Sequence, residues 1–215
     1  MKKFFNKIEL KPILITILMI LFQTTIFFIA KLFQPSYHII GNVIDTKIPF
    51  NSYFIVFYYM WFFMILLMPY YYYKRDKKLF LQYVLCYLAS VLISTIIFIV
   101  YPTQVIRPDI KITNIFTLLT YIIYFIDTPA INCFPSMHCA ISMLFLLTIT
   151  SSKHTKLKNK IIVIIASILI MISTLYTKQH VFVDLVCGDI MMCFIFITFK
   201  DNKYLLSKLK KLLKM

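Results

Sequence analysis

The chain contains only two glycines among its 215 residues, and charged side chains make up just 14% of it. With two glycines it can form neither a glycine-rich phosphate loop nor a dinucleotide-binding fingerprint. Acidic residues are also scarce, with eight against 23 lysines and arginines, and the only glutamate is Glu9. The five cysteines include no CxxC pair, so the sequence carries neither zinc-ribbon spacing nor a disulfide framework. Nucleotide-binding enzymes of the P-loop and Rossmann types are therefore excluded.

Hydrophobic residues make up 61% of the chain, whereas a soluble domain has roughly 45–50% apolar and about 25% charged residues. A transmembrane helix needs about 20 mostly apolar residues, so six such helices would leave room only for short loops and tails. This composition excludes a large soluble domain, and it excludes a disordered chain because disorder accompanies low hydrophobicity. We predict a single all-α domain over residues 1–215, embedded in the membrane as a bundle of six transmembrane helices.

Apolar runs separated by polar stretches predict where the membrane-spanning helices lie. The run Ile115–Ile126 is too short to span a bilayer, so we expect a short interfacial or re-entrant helix inside the long loop Tyr101–Pro135. In the tail Lys200–Met215, leucines recur at helical spacing between lysines. This is typical either of a basic amphipathic helix on an anionic leaflet or of a frayed, solvated tail. The six predicted spans are Ile13–Ala30, Tyr53–Tyr70, Phe80–Val100, Ser136–Thr150, Ile161–Tyr176 and Val181–Phe199.

The distribution of positive charge predicts the orientation in the membrane. With six spans, 18 of the 23 lysines and arginines fall on the side that holds both termini, including the basic head Met1–Lys11. Cytoplasmic loops are enriched in lysine and arginine, so we expect both termini in the cytoplasm of a multi-pass cell-membrane protein. The same enrichment explains the net charge of +15 without a nucleic-acid partner. The opposite side carries Lys31, Lys47, Arg107, Lys111 and Lys178.

Side chains suited to catalysis cluster on the predicted outer side. Arg107 lies in the long loop, Pro135-Ser136-Met137-His138 opens the fourth span, and His180 and Asp184 open the sixth. His180 and Asp184 are four residues apart, so they share one face of a helix, where the carboxylate can orient the imidazole and support its charged form. An ionisable residue inside an apolar span indicates function, although a structural polar pair that caps the helix is the alternative.

Together these residues predict phosphoryl transfer. One histidine can attack phosphorus, the carboxylate can hold that histidine, and the second histidine can protonate the leaving oxygen. A helix that begins at Ser136 offers free N–H groups to an anion, and Arg107 can bind a phosphate through two hydrogen bonds. This chemistry requires no metal or other cofactor. The alternative is a three-ligand metal site of His138, His180 and Asp184, although the chain lacks a His-Glu-x-x-His motif.

The order and spacing of these motifs resemble the type 2 phosphatidic acid phosphatase superfamily over a catalytic segment of about residues 101–188. That family has a first block of lysine, six residues and Arg-Pro, and a second block of Pro-Ser-x-His. Its third block is Ser-Arg, five residues, His, three residues and Asp. The second block matches fully at Pro135–His138, and the first matches at Arg107-Pro108. The third block matches at Ser173, His180 and Asp184, with Gly188 following.

The resemblance implies a role for each matched residue. His180 would be the nucleophile that forms a phosphohistidine, and Asp184 would orient it. His138 would be the general acid for the departing alcohol. Arg107 and Ser136 would bind the phosphate, and the mechanism would use no metal or cofactor. The resemblance also implies a six-span membrane fold.

Two cations of the family pattern are missing from this chain. Val100 stands where the family has its first-block lysine, and Thr174 stands where it has its third-block arginine. Lys178 could replace one of them by reaching the phosphate from the turn before His180, or it could be a plain surface charge. The reduced cation set and the Tyr101-Pro102-Thr103 sequence resemble the branch that includes inositol-phosphoceramide and sphingomyelin synthases. Those enzymes pass a phospho-headgroup to an alcohol instead of water.

From these patterns we expect a membrane-bound lipid phosphate phosphatase that hydrolyses a phosphomonoester or pyrophosphate of a lipid at the outer leaflet. Its partners would be the lipid substrate and the surrounding membrane lipids. A lipid phosphotransferase of the same fold is the first alternative, and a catalytically inactive relative is another. A non-enzymatic transport or assembly protein would belong to a different class. Transporters place polar groups near mid-membrane, whereas here the ionisable residues crowd one end of the spans.

Overall fold

The structure is a computed structural model that describes residues 9–33 and 36–215 of the chain. Most of these residues are in helices. The first eight residues of the predicted basic head lie outside the described residues. The described elements, in chain order, are α1 (Leu10–Leu32), β1 (His38–Ile39), α2 (Val43–Lys47), α3 (Ile55–Arg75), α4 (Lys77–Val100), β2 (Thr103–Gln104), α5 (Ile115–Ile126), α6 (Met137–Ser151), α7 (Leu157–Tyr176), α8 (Phe182–Phe199) and α9 (Lys203–Leu212).

Five helices have the length and apolar composition to cross a membrane: α1, α3 with the single turn Ser52–Phe54 before it, α4, α7 and α8. They correspond to the first, second, third, fifth and sixth predicted spans. The predicted fourth span forms the 15-residue α6, and the short run Ile115–Ile126 forms the 12-residue α5. The all-α prediction did not include the parallel pairing of β1 with β2, which joins the segment after α1 to the loop after α4.

Polar side chains set where several helices begin. The Asp76 side chain accepts a hydrogen bond from the backbone N–H of Lys78 and starts α4 one residue after α3 ends. Asn114 starts α5 by accepting hydrogen bonds from the backbone N–H groups of Phe116 and Thr117. Such caps satisfy N–H groups that have no partner inside the helix. Because one residue separates α3 from α4, these two helices pack side by side.

Large aromatic side chains fill the centre of the bundle. Tyr72, Tyr83, Tyr87, Phe80 and Phe145 are fully buried. The Tyr72 hydroxyl donates to the carbonyl oxygen of Phe145 at 3.0 Å, and the rings of Tyr83 and Phe145 stack with their centroids 6.1 Å apart. A buried hydroxyl without a partner costs free energy, so the bond made by Tyr72 favours one alignment of α3 against α6.

The helices α6 and α8 come into close contact near their first turns. A Cβ atom at Gly188 of α8 would lie only 2.6 Å from the carbonyl oxygen of Ser136, the residue before α6. The backbone N–H of Ser136 donates to the carbonyl oxygen of Asp184 at 3.1 Å. A residue without a side chain lets two backbones approach this closely, and the approach brings the start of α6 beside the start of α8.

The opposite end of the bundle, where α3 ends and α4 begins, carries ion pairs and the C-terminal helix. Lys74 of α3 contacts Glu9, the residue before α1, at 2.8 Å. The tail forms α9, which packs against α4. Leu209 of α9 is buried, whereas the lysines of this helix are exposed. The exposed lysines are Lys203, Lys208, Lys210 and Lys211.

Replacing Gly188 with alanine should destabilise the bundle by about 1–3 kcal/mol, because the new methyl group must push apart two backbones that are in contact. Thermal unfolding in detergent measures this loss as a lower midpoint temperature. Cys187→Ala on the same helix is the matched control, since Cys187 is only half-buried and its replacement adds no atom. Equal midpoints for the two variants would contradict the close approach of α6 and α8.

Candidate active site

The starts of α6 and α8 bring three of the predicted site residues together. His180 lies two residues before α8, and its Nδ1 atom is 3.3 Å from Oδ2 of Asp184 in the first turn of that helix. The same oxygen accepts a hydrogen bond from the backbone N–H of Val181 at 3.1 Å, and Asp184 is completely buried. This bond holds the carboxylate at the start of the helix, where the helix dipole favours negative charge.

The third residue, His138, lies in the first turn of α6, and its two ring nitrogens contact two different side chains. Its Nδ1 atom is 3.4 Å from Nε2 of His180, and its Nε2 atom is 2.9 Å from the hydroxyl oxygen of Tyr58 on α3. The ring of Trp61, one turn further along α3, lies with its centroid 4.5 Å from that of His138. Tyr58, His138, His180 and Asp184 therefore form one connected chain of side chains.

The hydrogen bonds within this chain decide which nitrogen of His180 can react. An ionised carboxylate only accepts hydrogen bonds, so Asp184 places the His180 proton on Nδ1. Nε2 of His180 is then left without a proton, and its lone pair faces Nδ1 of His138. A histidine in this state is a nucleophile, and the neighbouring histidine can exchange a proton with a group that enters between the two rings.

Ser136 uses its polar groups to build the start of α6. Its hydroxyl oxygen accepts a hydrogen bond from the backbone N–H of Cys139 at 3.3 Å, and its own N–H is bonded to Asp184. The residue is completely buried. Ser136 thus caps the helix, and its contact with a phosphate stays a prediction.

Arg107 reaches the site from the loop after β2 and is held by three residues. Its Nη2 atom is 2.5 Å from Oδ2 of Asp127 and 2.6 Å from Oε1 of Gln179, and Nη1 donates to the carbonyl oxygen of Asp127 at 3.0 Å. The guanidinium carbon lies 4.8 Å from the centre of the Tyr124 ring. Only 8% of the Arg107 side chain is exposed. Arg107 is therefore a buried cation, balanced by Asp127, which also contacts Lys31 at 3.6 Å.

Lys178 connects the turn before α8 to the helix α2. Its Nζ atom donates to the carbonyl oxygens of Asp45, at 2.9 Å, and of Ile48. In return, the Asp45 carboxylate accepts a hydrogen bond from the backbone N–H of Phe182 at 2.7 Å. Lysine at this position completes the end of α2, whose last carbonyl groups have no partner inside the helix. The predicted contact of Lys178 with a phosphate beside His180 stays a prediction.

A cleft of about 800 Å³ opens beside these residues. Arg107, Lys178 and His180 lie in its wall, and most of the other wall residues are apolar. Ligand pockets commonly have this size and this mixture of apolar walls with a few polar groups. The other wall residues come from segments 39–50 and 105–108 and from positions 175 and 181.

The positions of the two missing family cations differ in the structure. Val100, the last residue of α4, is 77% exposed. Thr174 of α7 is completely buried, with its hydroxyl oxygen 3.6 Å from Sγ of Cys139 on α6. A side chain at position 174 therefore reaches the start of α6, whereas one at position 100 begins at the surface.

The two histidines and Asp184 are linked in series rather than around a common centre. His180 contacts Asp184 through Nδ1 and His138 through Nε2. Within residues 9–33 and 36–215, no three histidine, cysteine, aspartate or glutamate side chains form a group that could hold a metal ion. The arrangement resembles a proton-transfer chain, so the alternative of a three-ligand metal site gains no support from the described residues.

A family model described as the PAP2 superfamily matches residues 80–205, from the first turn of α4 into α9. The chain belongs to the PAP2 superfamily. This membership confirms the resemblance to type 2 phosphatidic acid phosphatases and supports an enzyme of the phosphatase or phosphotransferase type. Comparisons with curated proteins and with solved structures gave no match. The matched segment contains Arg107, Ser136, His138, Lys178, His180 and Asp184.

Sequence reasoning missed four residues of the candidate site. Tyr58 and Trp61 lie on α3, before the segment that the family model matches, in an aromatic run that gives no local signal of catalysis. Gln179 is next to His180 and could have been noticed there. Asp127, an acidic residue directly after the apolar α5, could have indicated an ion pair with a cation of the outer loops.

Replacing Asp127 with alanine should lower the free energy of unfolding by about 2–4 kcal/mol, because the buried guanidinium of Arg107 would lose its counter-charge. Asp109→Ala is the matched control, since Asp109 is an exposed aspartate in the loop before α5 and exposed substitutions usually change stability by no more than about 0.5 kcal/mol. Denaturant unfolding in detergent measures both losses. A loss for Asp127→Ala no larger than for Asp109→Ala would contradict the importance of the Arg107–Asp127 pair.

Proposed function

We propose that this PAP2 protein is a lipid phosphate phosphatase of the cell membrane, which hydrolyses a phosphomonoester or pyrophosphate of a lipid at the outer leaflet. The observation that carries the proposal is the position of His180. Asp184 holds its Nδ1 atom, so Nε2 is unprotonated, and Nδ1 of the second histidine, His138, lies 3.4 Å from that Nε2 atom. The adjacent cleft can receive the phosphate of a lipid.

In the first half of the proposed reaction, Nε2 of His180 attacks phosphorus. The N–P bond forms as the ester P–O bond breaks, and the electron pair of the broken bond stays on the alcohol oxygen. His138 gives that oxygen a proton from Nδ1, so a neutral lipid alcohol leaves. Asp184 stabilises the positive charge that develops on His180. Arg107 and the N–H groups at the helix start after Ser136 stabilise the phosphate oxygens.

In the second half, water takes the place of the alcohol. Nδ1 of His138, which has lost its proton, accepts a proton from water while the water oxygen attacks phosphorus. The N–P bond breaks, and its electron pair returns to Nε2 of His180. Inorganic phosphate leaves, and both histidines are back in their starting states. Lys178 would join the phosphate ligands by exchanging its bonds to Asp45 and Ile48 for bonds to the phosphate.

The proposed membrane arrangement has six spans, with the site at the outer surface. The sixth is α6, which packs against α7 and α8, and α5 is the interfacial helix beside the site. Lys31, Arg107 and Asp127 lie at the site end, whereas Glu9 and the lysine-rich helix α9 lie at the other end of the bundle. The enrichment of cations in cytoplasmic loops then places the termini in the cytoplasm.

Cysteine labelling of intact cells tests this orientation. Lys111→Cys, in the loop before α5, should react with a membrane-impermeant maleimide, because that loop would face outward. Lys208→Cys on α9 should react only after the cells have been opened. Both positions are exposed, and the native cysteines are buried or half-buried, so the unmodified protein is the background control. Labelling of Lys208→Cys in intact cells would contradict the orientation.

The size of the cleft favours a second candidate function, transfer of the phosphorus-containing group to an alcohol. Its volume of about 800 Å³ and its largely apolar wall leave room for a second lipid or a polyol beside His180. The phosphohistidine would form in the same way in both reactions. Only the oxygen that attacks the phosphohistidine would differ.

Purified protein in detergent should release phosphate from at least one member of a panel of lipid phosphates, and the release should persist when a chelator is added. His180→Ala should lower the rate by roughly a thousandfold or more, because the nucleophile is lost. His154→Ala is the matched control and should keep full activity, since His154 is exposed in the loop between α6 and α7 at the opposite end.

The same assay separates the alternatives. Release that stops with chelator, or that persists in His180→Ala, would overturn the phosphohistidine phosphatase. Exchange of label between two lipid alcohols without phosphate release would select the transferase. The absence of both reactions would favour an inactive relative or a non-enzymatic transport or assembly protein.

A further inference from the structure

We propose that Tyr58 is a positioning residue, which holds His138 so that Nδ1 faces His180 through every protonation state of the reaction. Its kinetic consequence rests on the proposed function. The hydrogen bond itself can be tested without any activity.

Tyr58 is fixed in place by packing. It lies one turn into α3, is 3% exposed, and contacts Ile55 and Ile123 in a small hydrophobic cluster between α3 and α5. Its hydroxyl oxygen is 2.9 Å from Nε2 of His138, and the centroids of the two rings are 4.8 Å apart. A buried hydroxyl that loses its partner pays a desolvation cost, so the packed ring and the bond together keep His138 in one orientation.

The Tyr58 hydroxyl completes a consistent set of hydrogen bonds in the resting site. Asp184 keeps the His180 proton on Nδ1, so Nε2 of His180 can only accept. Nδ1 of His138, 3.4 Å away, must then be the donor, which leaves Nε2 of neutral His138 without a proton. Tyr58 donates its O–H to that nitrogen. The three bonds thus run in one direction, from Tyr58 to Asp184.

The same hydroxyl serves the protonated state. To act as an acid, neutral His138 first takes up a proton from water on Nε2, so that both nitrogens are protonated. Its Nε2–H then donates to the Tyr58 oxygen, since a phenol hydroxyl both donates and accepts. After Nδ1 has given its proton to the leaving oxygen, the remaining proton is on Nε2. Nδ1 is then free to accept a proton from water. The Trp61 ring also contacts His138, but an indole N–H only donates. Trp61 therefore cannot replace Tyr58, which accepts from Nε2–H in one state and donates to Nε2 in the other.

The chain offers a closely matched pair of variants. Tyr58→Phe removes only the hydroxyl and keeps the ring that packs against α5 and His138. Tyr59→Phe makes the same change at the next residue, whose hydroxyl donates to the carbonyl oxygen of Leu119 at 3.3 Å. Both variants should fold, which a thermal unfolding curve of each will show.

The first measurement needs no catalysis. Long-range proton–nitrogen correlation spectra of the protein with nitrogen-15 histidine report which ring nitrogen is protonated for each of the four histidines, and His138→Gln identifies the His138 signals. At mildly alkaline pH, His138 should carry its proton on Nδ1, with Nε2 as an acceptor. Tyr58→Phe should shift the Nε2 signal of His138 by several parts per million, and Tyr59→Phe should leave it unchanged.

The second measurement compares an alkyl phosphate with a nitrophenyl phosphate as substrates. A nitrophenolate leaves readily without a proton, whereas an alkoxide depends on the general acid. Tyr58→Phe should lower kcat/KM for the alkyl phosphate by about tenfold, a part of the hundredfold or more that proton transfer contributes, and should change it less than about twofold for the nitrophenyl ester. His138→Gln should show the same dependence on the leaving group, and Tyr59→Phe should show none.

Each outcome decides the proposal. An unchanged His138 spectrum in Tyr58→Phe would overturn it, as would a loss of activity that is equal for the two substrates, because a merely structural role predicts equal losses. If the protein hydrolyses neither substrate, the proposed function fails by itself. The spectrum of His138 then decides alone whether Tyr58 sets its protonation.

Discussion

The close approach of α6 and α8 at Gly188 is the constraint on which the rest of the site depends. Because a Cβ atom there would collide with the carbonyl oxygen of Ser136, the first turns of the two helices can lie side by side only with glycine at this position. The hydrogen bond between the Ser136 N–H and the carbonyl oxygen of Asp184 fixes the position of α6 along the axis of α8. His138 and His180, which are 42 residues apart, are thereby brought to 3.4 Å.

The loops at the site end of the bundle supply the remaining charges, and each of the cations Arg107 and Lys178 is held by specific partners. Arg107 is fixed by Asp127 and Gln179, and Lys178 ties the turn before α8 to α2. The pairing of β1 with β2 joins the segment that contains α2 to the loop that contains Arg107. A buried cation is costly unless it is paired, so these contacts stabilise the cations beside the cleft and fix the loops that form its wall.

The parts of the structure that could be predicted were those encoded by local patterns. Apolar runs located five helices of spanning length, and the bounds of α5 matched the run Ile115–Ile126 because a polar cap and a terminal Asp127 flank it. The short spacing between His180 and Asp184 predicted their contact, although His180 precedes α8 and does not share a helix face with Asp184. Tyr58 could not be predicted in this way, because it reaches His138 across 80 residues of sequence from a helix in which aromatic residues are common.

By itself, the sequence determined the membrane-embedded helical class, the family resemblance and the residues that can react, because composition, helical period and motif spacing are properties of the chain alone. The tertiary structure alone decided what each reactive group faces. Ser136 became a cap, the Lys178 ammonium was bound by backbone carbonyl groups, and His138 acquired a hydroxyl partner. Hydrogen bonds act over about 3 Å, so the partners of a side chain depend on which helices pack together rather than on its neighbours in sequence.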